Sequence, residues 1–150
     1  MNIKKLLALL PCFALPSLSA APTITETDVL KLFNQWNTSL QTKDPNKVAE
    51  NYAPNGILLP TVSNKIRHNR AEIADYFKHF LESNPRGEIT EHNIHIFNNL
   101  AINSGAYTFY LTKDGKTTIV PARYTFVYQK QGEQWLIIEH HSSAMPEKST

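Results

Sequence analysis

The sequence predicts an α+β domain in which helices come first and a meander of long antiparallel strands follows. Three observations carry this expectation. Apolar residues recur at helical spacing as far as Leu81, and period-two alternation replaces that spacing after Gly87. Turn signals at Asn98-Asn99, Asp114-Gly115 and Gly132 then divide the second half into segments of strand length.

The elements follow in order. Thr27 is expected to cap the first helix, with Asp28 in the positive field of its amino end. Val29, Leu32, Phe33, Trp36 and Leu40 form its apolar stripe. Asp44-Pro45 is a second start, a capping side chain followed by proline at the first helical position, with Val48, Ala49 and Tyr52 as the buried face. "PNG" at 54–56 stops that helix, and "ILLP" at 57–60 reads as a short buried strand. Asn69 and Glu72 make a capping box for a third helix with Ile73, Phe77, Phe80 and Leu81 inward, and "NPRG" at 84–87 closes it. Four strands are expected after that: "EITEHNIHIF" (88–97), "LAINSGAYTFYL" (100–111), "TTIVPARYTFVYQ" (117–129) and "WLIIEHHS" (135–142). Asp114-Gly115 is the strongest hairpin signal among the turns. Pro121 has no N–H to give a ladder, so it implies a bulge or an edge.

The first twenty residues read as a secretory leader outside the domain, which is expected over 21–150. Lys4 and Lys5 make a basic start, an apolar run reaches about Leu18, and Ser17, Ser19 and Ala20 supply small residues for cleavage. Pro11 and Pro16 break the run, which falls short of the ~20 apolar residues of a membrane span. Cys12 lies within this run behind Leu10 and Pro11, a context that does not fit lipidation. Cleavage after Ser19 or Ala20 would leave a chain without cysteine, which excludes disulfides and thiolate chemistry. The 15 Lys and Arg and 13 Asp and Glu become thirteen of each once Lys4 and Lys5 are gone. A neutral mature chain gives nucleic acid and anionic membranes no electrostatic reason to bind. The expected location is the periplasm or the exterior.

"NIHIF", "GAYTFYL", "YTFVYQKQGEQW" and "IIEHHSSAMP" together resemble the association domain of calcium/calmodulin-dependent protein kinase II and its bacterial, kinase-free SnoaL-like relatives. The resemblance covers about residues 25–146. It implies the nuclear transport factor 2-like cone fold, a curved sheet wrapped around N-terminal helices that leaves a conical pocket. It also implies self-association, or isomerase, dehydratase or cyclase chemistry on a small apolar substrate. No kinase catalytic segment is expected in this chain. The association domain carries basic residues along its strands where this chain has Phe109, Phe126 and Ser142.

Candidate functional residues lie mostly on the last two strands. His140 and His141 are adjacent, so they point to opposite faces of a strand and cannot chelate one ion; the same holds for His92 and His95. No metal or cofactor is expected. Alternation places Leu136, Ile138 and His140 on one face and Trp135, Ile137, Glu139 and His141 on the other. Helices need a large apolar surface, so the row Tyr124, Phe126, Tyr128 and with it His140 are assigned to the concave side. Trp36, Tyr52, Tyr107, Tyr124 and His140 could then line a pocket for a small apolar or aromatic molecule, with His140 as the candidate acid–base group. Arg123 either pairs with Glu139 or anchors an anionic ligand. Trp135, Ile137 and His141 are assigned to an outer-face contact with a second copy, because both strand parities carry apolar residues. The leading reading is an exported, self-associating domain that binds a small molecule; an enzyme and a pure assembly module are the alternatives.

Overall fold

Thr25 starts the first helix, two residues before the expected cap. Its hydroxyl accepts from the Asp28 N–H while the Asp28 carboxylate accepts from the Thr25 N–H, closing a capping box. The computed structural model describes residues 24–147; the expected leader with Cys12 lies outside these residues. The elements are α1 (Glu26–Gln41), α2 (Pro45–Ala49), β1 (Tyr52–Leu59), α3 (Arg70–Phe80) with a 3-10 turn (Leu81–Ser83), β2 (Arg86–Phe97), β3 (Leu100–Lys113), β4 (Lys116–Gln131) and β5 (Gln134–Ala144). Asp44 and Asn69 cap α2 and α3 as the sequence predicts.

The strands form one open sheet in the order β1-β5-β4-β3-β2. The α+β expectation holds, with one difference. β1 begins at Tyr52, so "PNG" lies inside the strand, and β1 pairs with β5 in parallel whereas all other pairs are antiparallel. Asp114 (φ 51°) and Gly115 (φ 75°) make the two-residue β3–β4 hairpin with both central residues at positive φ, the geometry that matches strand twist. Pro121 sits one residue beyond the last β4–β5 pair, Ala122 with Ala144, where β4 has a neighbour on one side only.

The helices cover one face of the sheet, and Val29, Phe33, Trp36 and Leu40 of α1 with Ile73 and Phe77 of α3 bury themselves there against Tyr107, Tyr124, Phe126 and Tyr128. Asn37 fixes α1 to the start of β2 by exchanging two 2.8 Å hydrogen bonds with the Gly87 backbone.

One extra residue in β5 overturns part of the face assignment. Val127 pairs with Glu139 but Tyr128 pairs with Ile137, so Ile138 is a bulge. Downstream of it His140 is concave and Glu139 and His141 are outward, as expected. Upstream the parity is reversed: Ile137 is 1 % exposed in the core, and Trp135 packs against that same core. Neither belongs to the outer face.

Candidate functional site

The concave face is largely apolar, with His140, Ser142 and Asn103 as buried polar side chains. His140 lies on β5 opposite Phe126 of β4 and next to Leu58 of β1. Its ring stacks on Phe126 with centroids 3.9 Å apart and meets the Trp36 ring edge-on at 5.3 Å. Nδ1 is 2.9 Å from the Tyr52 hydroxyl, which also accepts from the Trp36 indole N–H at 3.2 Å. The Trp36 indole can only donate, so Nδ1 is the one acceptor the buried Tyr52 hydroxyl has among its partners; with the Tyr52 proton on Nδ1, the imidazole carries its own proton on Nε2. That Nε2 is buried and has no hydrogen-bond partner among the described residues.

Burial drives the His140 pKa down to about 3, and the neighbouring His141 pushes the same way. At neutral pH the ring is an uncharged donor. Burial also raises the phenol pKa of Tyr52, although the Trp36 hydrogen bond opposes this.

His140 walls a small cavity of about 30 Å³ between the sheet and α3. Such a space holds about two water molecules. Trp36 and His140 are walls, together with Leu58, Phe77, Phe109 and Ser142. Tyr52, the partner of Nδ1, is not a wall. Thr61, Val62 and Phe80 stand at the cavity as well. A broader cleft of about 380 Å³ adjoins it and shares Val62, Tyr76, Phe80 and Leu111.

The other pocket candidates take indirect places or none. Tyr107 donates to Ser142 Oγ at 2.6 Å, and Ser142 is also bonded to Thr61 Oγ1. Tyr107 therefore supports a cavity wall from behind. Tyr124 lies away from it, stacked on Phe33 and bonded to Asn103 Oδ1 at 2.9 Å. The buried Tyr128 hydroxyl also lacks a partner among the described residues, but Tyr128 walls neither cleft.

Arg123 and Glu139 do not pair. Arg123 is opposite Ser143 and Glu139 opposite Val127, four residues along β4, and both side chains are exposed to water. A solvated guanidinium needs no buried counter-charge, so the reason for expecting the pair disappears. His141 is exposed on the outer face.

Sequence reasoning missed Ser142, Thr61 and Arg67. Ser142 was accessible to it, since it follows His140 by two on a strand. Among the described residues no three His, Cys, Asp or Glu side chains converge as a metal site would require. No described helix is long and apolar enough to cross a membrane.

The model of the calcium/calmodulin dependent protein kinase II association domain family matches residues 25–146. Among solved structures, a Xanthomonas campestris protein assigned by name to that association domain is 47% identical, with a TM-score of 0.80 over 91% of this chain and 95% of that one. A nuclear transport factor 2-like superfamily protein from Salmonella enterica serovar Typhimurium aligns over 82% of this chain and 92% of its own, at 17% identity and a TM-score of 0.69. An ntf2-like protein with a cystatin-like fold from Novosphingobium aromaticivorans covers 82% and 83% at 9% identity, also with a TM-score of 0.69. No curated protein matches.

Proposed function

Because the chain belongs to the calcium/calmodulin-dependent protein kinase II association domain family, within the nuclear transport factor 2-like superfamily, we propose that it is an exported, self-associating domain that binds a small, largely apolar molecule at His140 without a cofactor. One observation carries this reading: His140 lines a largely apolar cavity, and its buried Nε2 has no hydrogen-bond partner among the described residues. An unsatisfied buried donor costs about 1–3 kcal/mol. A ligand oxygen that accepts from Nε2 recovers that amount, which is about ten- to hundredfold in affinity. Leu58, Phe77 and Phe109 then favour an apolar body, while Trp36 and Tyr52 hold the ring in orientation.

Self-association is assigned to the outer sheet face. Ile102 and Val127 pair there across β3 and β4, beside His141, and the helices lie on the other side. Ile102 and Val127 are an apolar, half-buried pair on an otherwise mixed face, and a second copy would cover them.

An isomerase, dehydratase or cyclase is the second reading. The Tyr52–His140 hydrogen bond favours it, since that bond is a route for a proton. The low pKa of His140 argues for binding instead, because such a ring has no proton to spare at neutral pH and little basicity.

Native mass spectrometry of the mature protein tests the reading. The expected species is a dimer or larger carrying a small molecule that organic extraction removes and that His140→Phe does not retain. A bare monomer that binds none of a set of neutral aromatic fragments would refute it. Intact mass from the native host should show loss of 19 or 20 residues, by cleavage after Ser19 or Ala20; a full-length product refutes export.

A further inference from the structure

The cleft that adjoins the His140 cavity holds a nearly buried cation that has no counter-charge among the described residues. Arg67 belongs to the loop between β1 and α3, yet its backbone is pinned to β1 by two 2.9 Å hydrogen bonds exchanged with Leu58. Its side chain is nearly buried: the residue is 8% exposed, at the wall of the cleft. The guanidinium lies over the Tyr76 ring at 5.5 Å. One terminal nitrogen donates to the Lys65 carbonyl and the other to Ser63 Oγ at 3.4 Å. Nε is buried and has no acceptor among the described residues. Among the described residues no carboxylate lies within 4.0 Å of it. Neutral acceptors satisfy some of its donors but leave its charge uncompensated, a state that an anion in the cleft would relieve.

The surroundings say where the missing charge would sit. Arg67 walls the 380 Å³ cleft with Ser63, His79 and Ser83, and that cleft shares Tyr76, Phe80 and Leu111 with the His140 cavity. A volume of this size is that of a small-ligand site (about 300–1,000 Å³), whereas the inner cavity admits only a slim uncharged group. We infer that the ligand is an amphipathic oxyanion, in its simplest form a carboxylic acid: the carboxylate meets the Arg67 guanidinium, the apolar body runs between Tyr76 and Phe80, and the far end meets His140. The inference rests on the reading of the His140 cavity as a binding site and adds the class of molecule it takes. It also assigns Arg67 a role in recognition, as a charge held in place by the β1 backbone before the ligand arrives.

The test compares phenylacetate, its uncharged counterpart phenylacetamide, and inorganic sulfate on 15N-labelled mature protein at pH 7, following the Arg67 Nε–H resonance and the dissociation constants. Phenylacetate is expected to bind about ten- to hundredfold tighter than the amide, the range of a hydrogen bond to a charged group. The Arg67 signal should move with phenylacetate and with sulfate but not with the amide. In Arg67→Gln the two organic probes should bind equally. Equal affinities in the unaltered protein, or a preference that survives Arg67→Gln, would overturn the inference and leave the cavity reading in place. Movement of the Arg67 signal by sulfate alone, with neither organic probe bound, supports the anion subsite and refutes the cavity reading. Because the resonance is read in the unaltered chain, a variant that fails to fold does not remove the test.

Discussion

Acidification should destabilise this protein well above the pH at which carboxylates titrate. His140 has an ordinary value of 6.5 in the unfolded chain and about 3 in the folded one, chiefly because it is buried. A depressed histidine pKa means that the unfolded state takes up a proton first as the pH falls. Stability is therefore complete above pH 6.5 and declines towards pH 3, by about 1.4 kcal/mol per unit once well below 6.5. Between pH 7 and 4.5 this amounts to about 2.5 kcal/mol. The lowered carboxyls of Asp28 and Glu72 act in the same direction but below about pH 4.5, outside this window. Urea unfolding at fixed protein concentration, repeated at half-unit steps from pH 7 to 4.5, measures the slope. His140→Leu is the control, since the five other histidines are exposed and present in both proteins. The variant should lose most of the slope. Parallel pH profiles for wild type and variant would refute the burial of a neutral His140.

Three further outcomes are expected. Tyr52→Phe leaves the Trp36 N–H and His140 Nδ1 without partners and should cost about 2–4 kcal/mol in urea unfolding; a loss under about 0.5 would contradict the hydrogen-bond assignment. Gly105→Ala places a Cβ 2.0 Å from the Glu91 carbonyl oxygen, beside the β2 bulge at Thr90, so the β2–β3 pair must shift. A fall in thermal midpoint of several degrees is expected, and an unchanged melt would show that the strands are not so close. Ile102→Lys puts a charge at the centre of the outer sheet face, and sedimentation should show it dissociating the assembly while the circular dichroism of the fold is kept; an undisturbed oligomer would move the interface elsewhere.

Most of the fold was legible because its signals are local. Helical spacing in α1 and α3, two capping side chains and Asp114-Gly115 act within a few residues of themselves. The parallel pairing of β1 with β5 was not, since it joins segments some eighty residues apart and leaves no mark in either. The bulge at Ile138 escaped for a different reason. Ile137 and Ile138 are equally apolar, so alternation could not tell which one the strand skips, and that single residue carried Trp135 and Ile137 to the other face. His140 and His141 were assigned to the correct sides because the bulge lies upstream of them. Arg67 was illegible: an arginine in a polar stretch reads as solvated, and only the loop folding back onto β1 buries it.

The central claim is that the His140 Nε2–H meets a bound molecule. Two-bond proton–nitrogen correlation spectra of the mature protein at pH 7, recorded during titration with phenylacetamide, observe both ring nitrogens directly. The account predicts a neutral ring protonated on Nε2 before the titration, and a shift of Nε2 on binding that is larger than that of Nδ1, which Tyr52 already holds. A ring protonated on Nδ1, or a bound fragment that leaves both nitrogens unmoved, would contradict it.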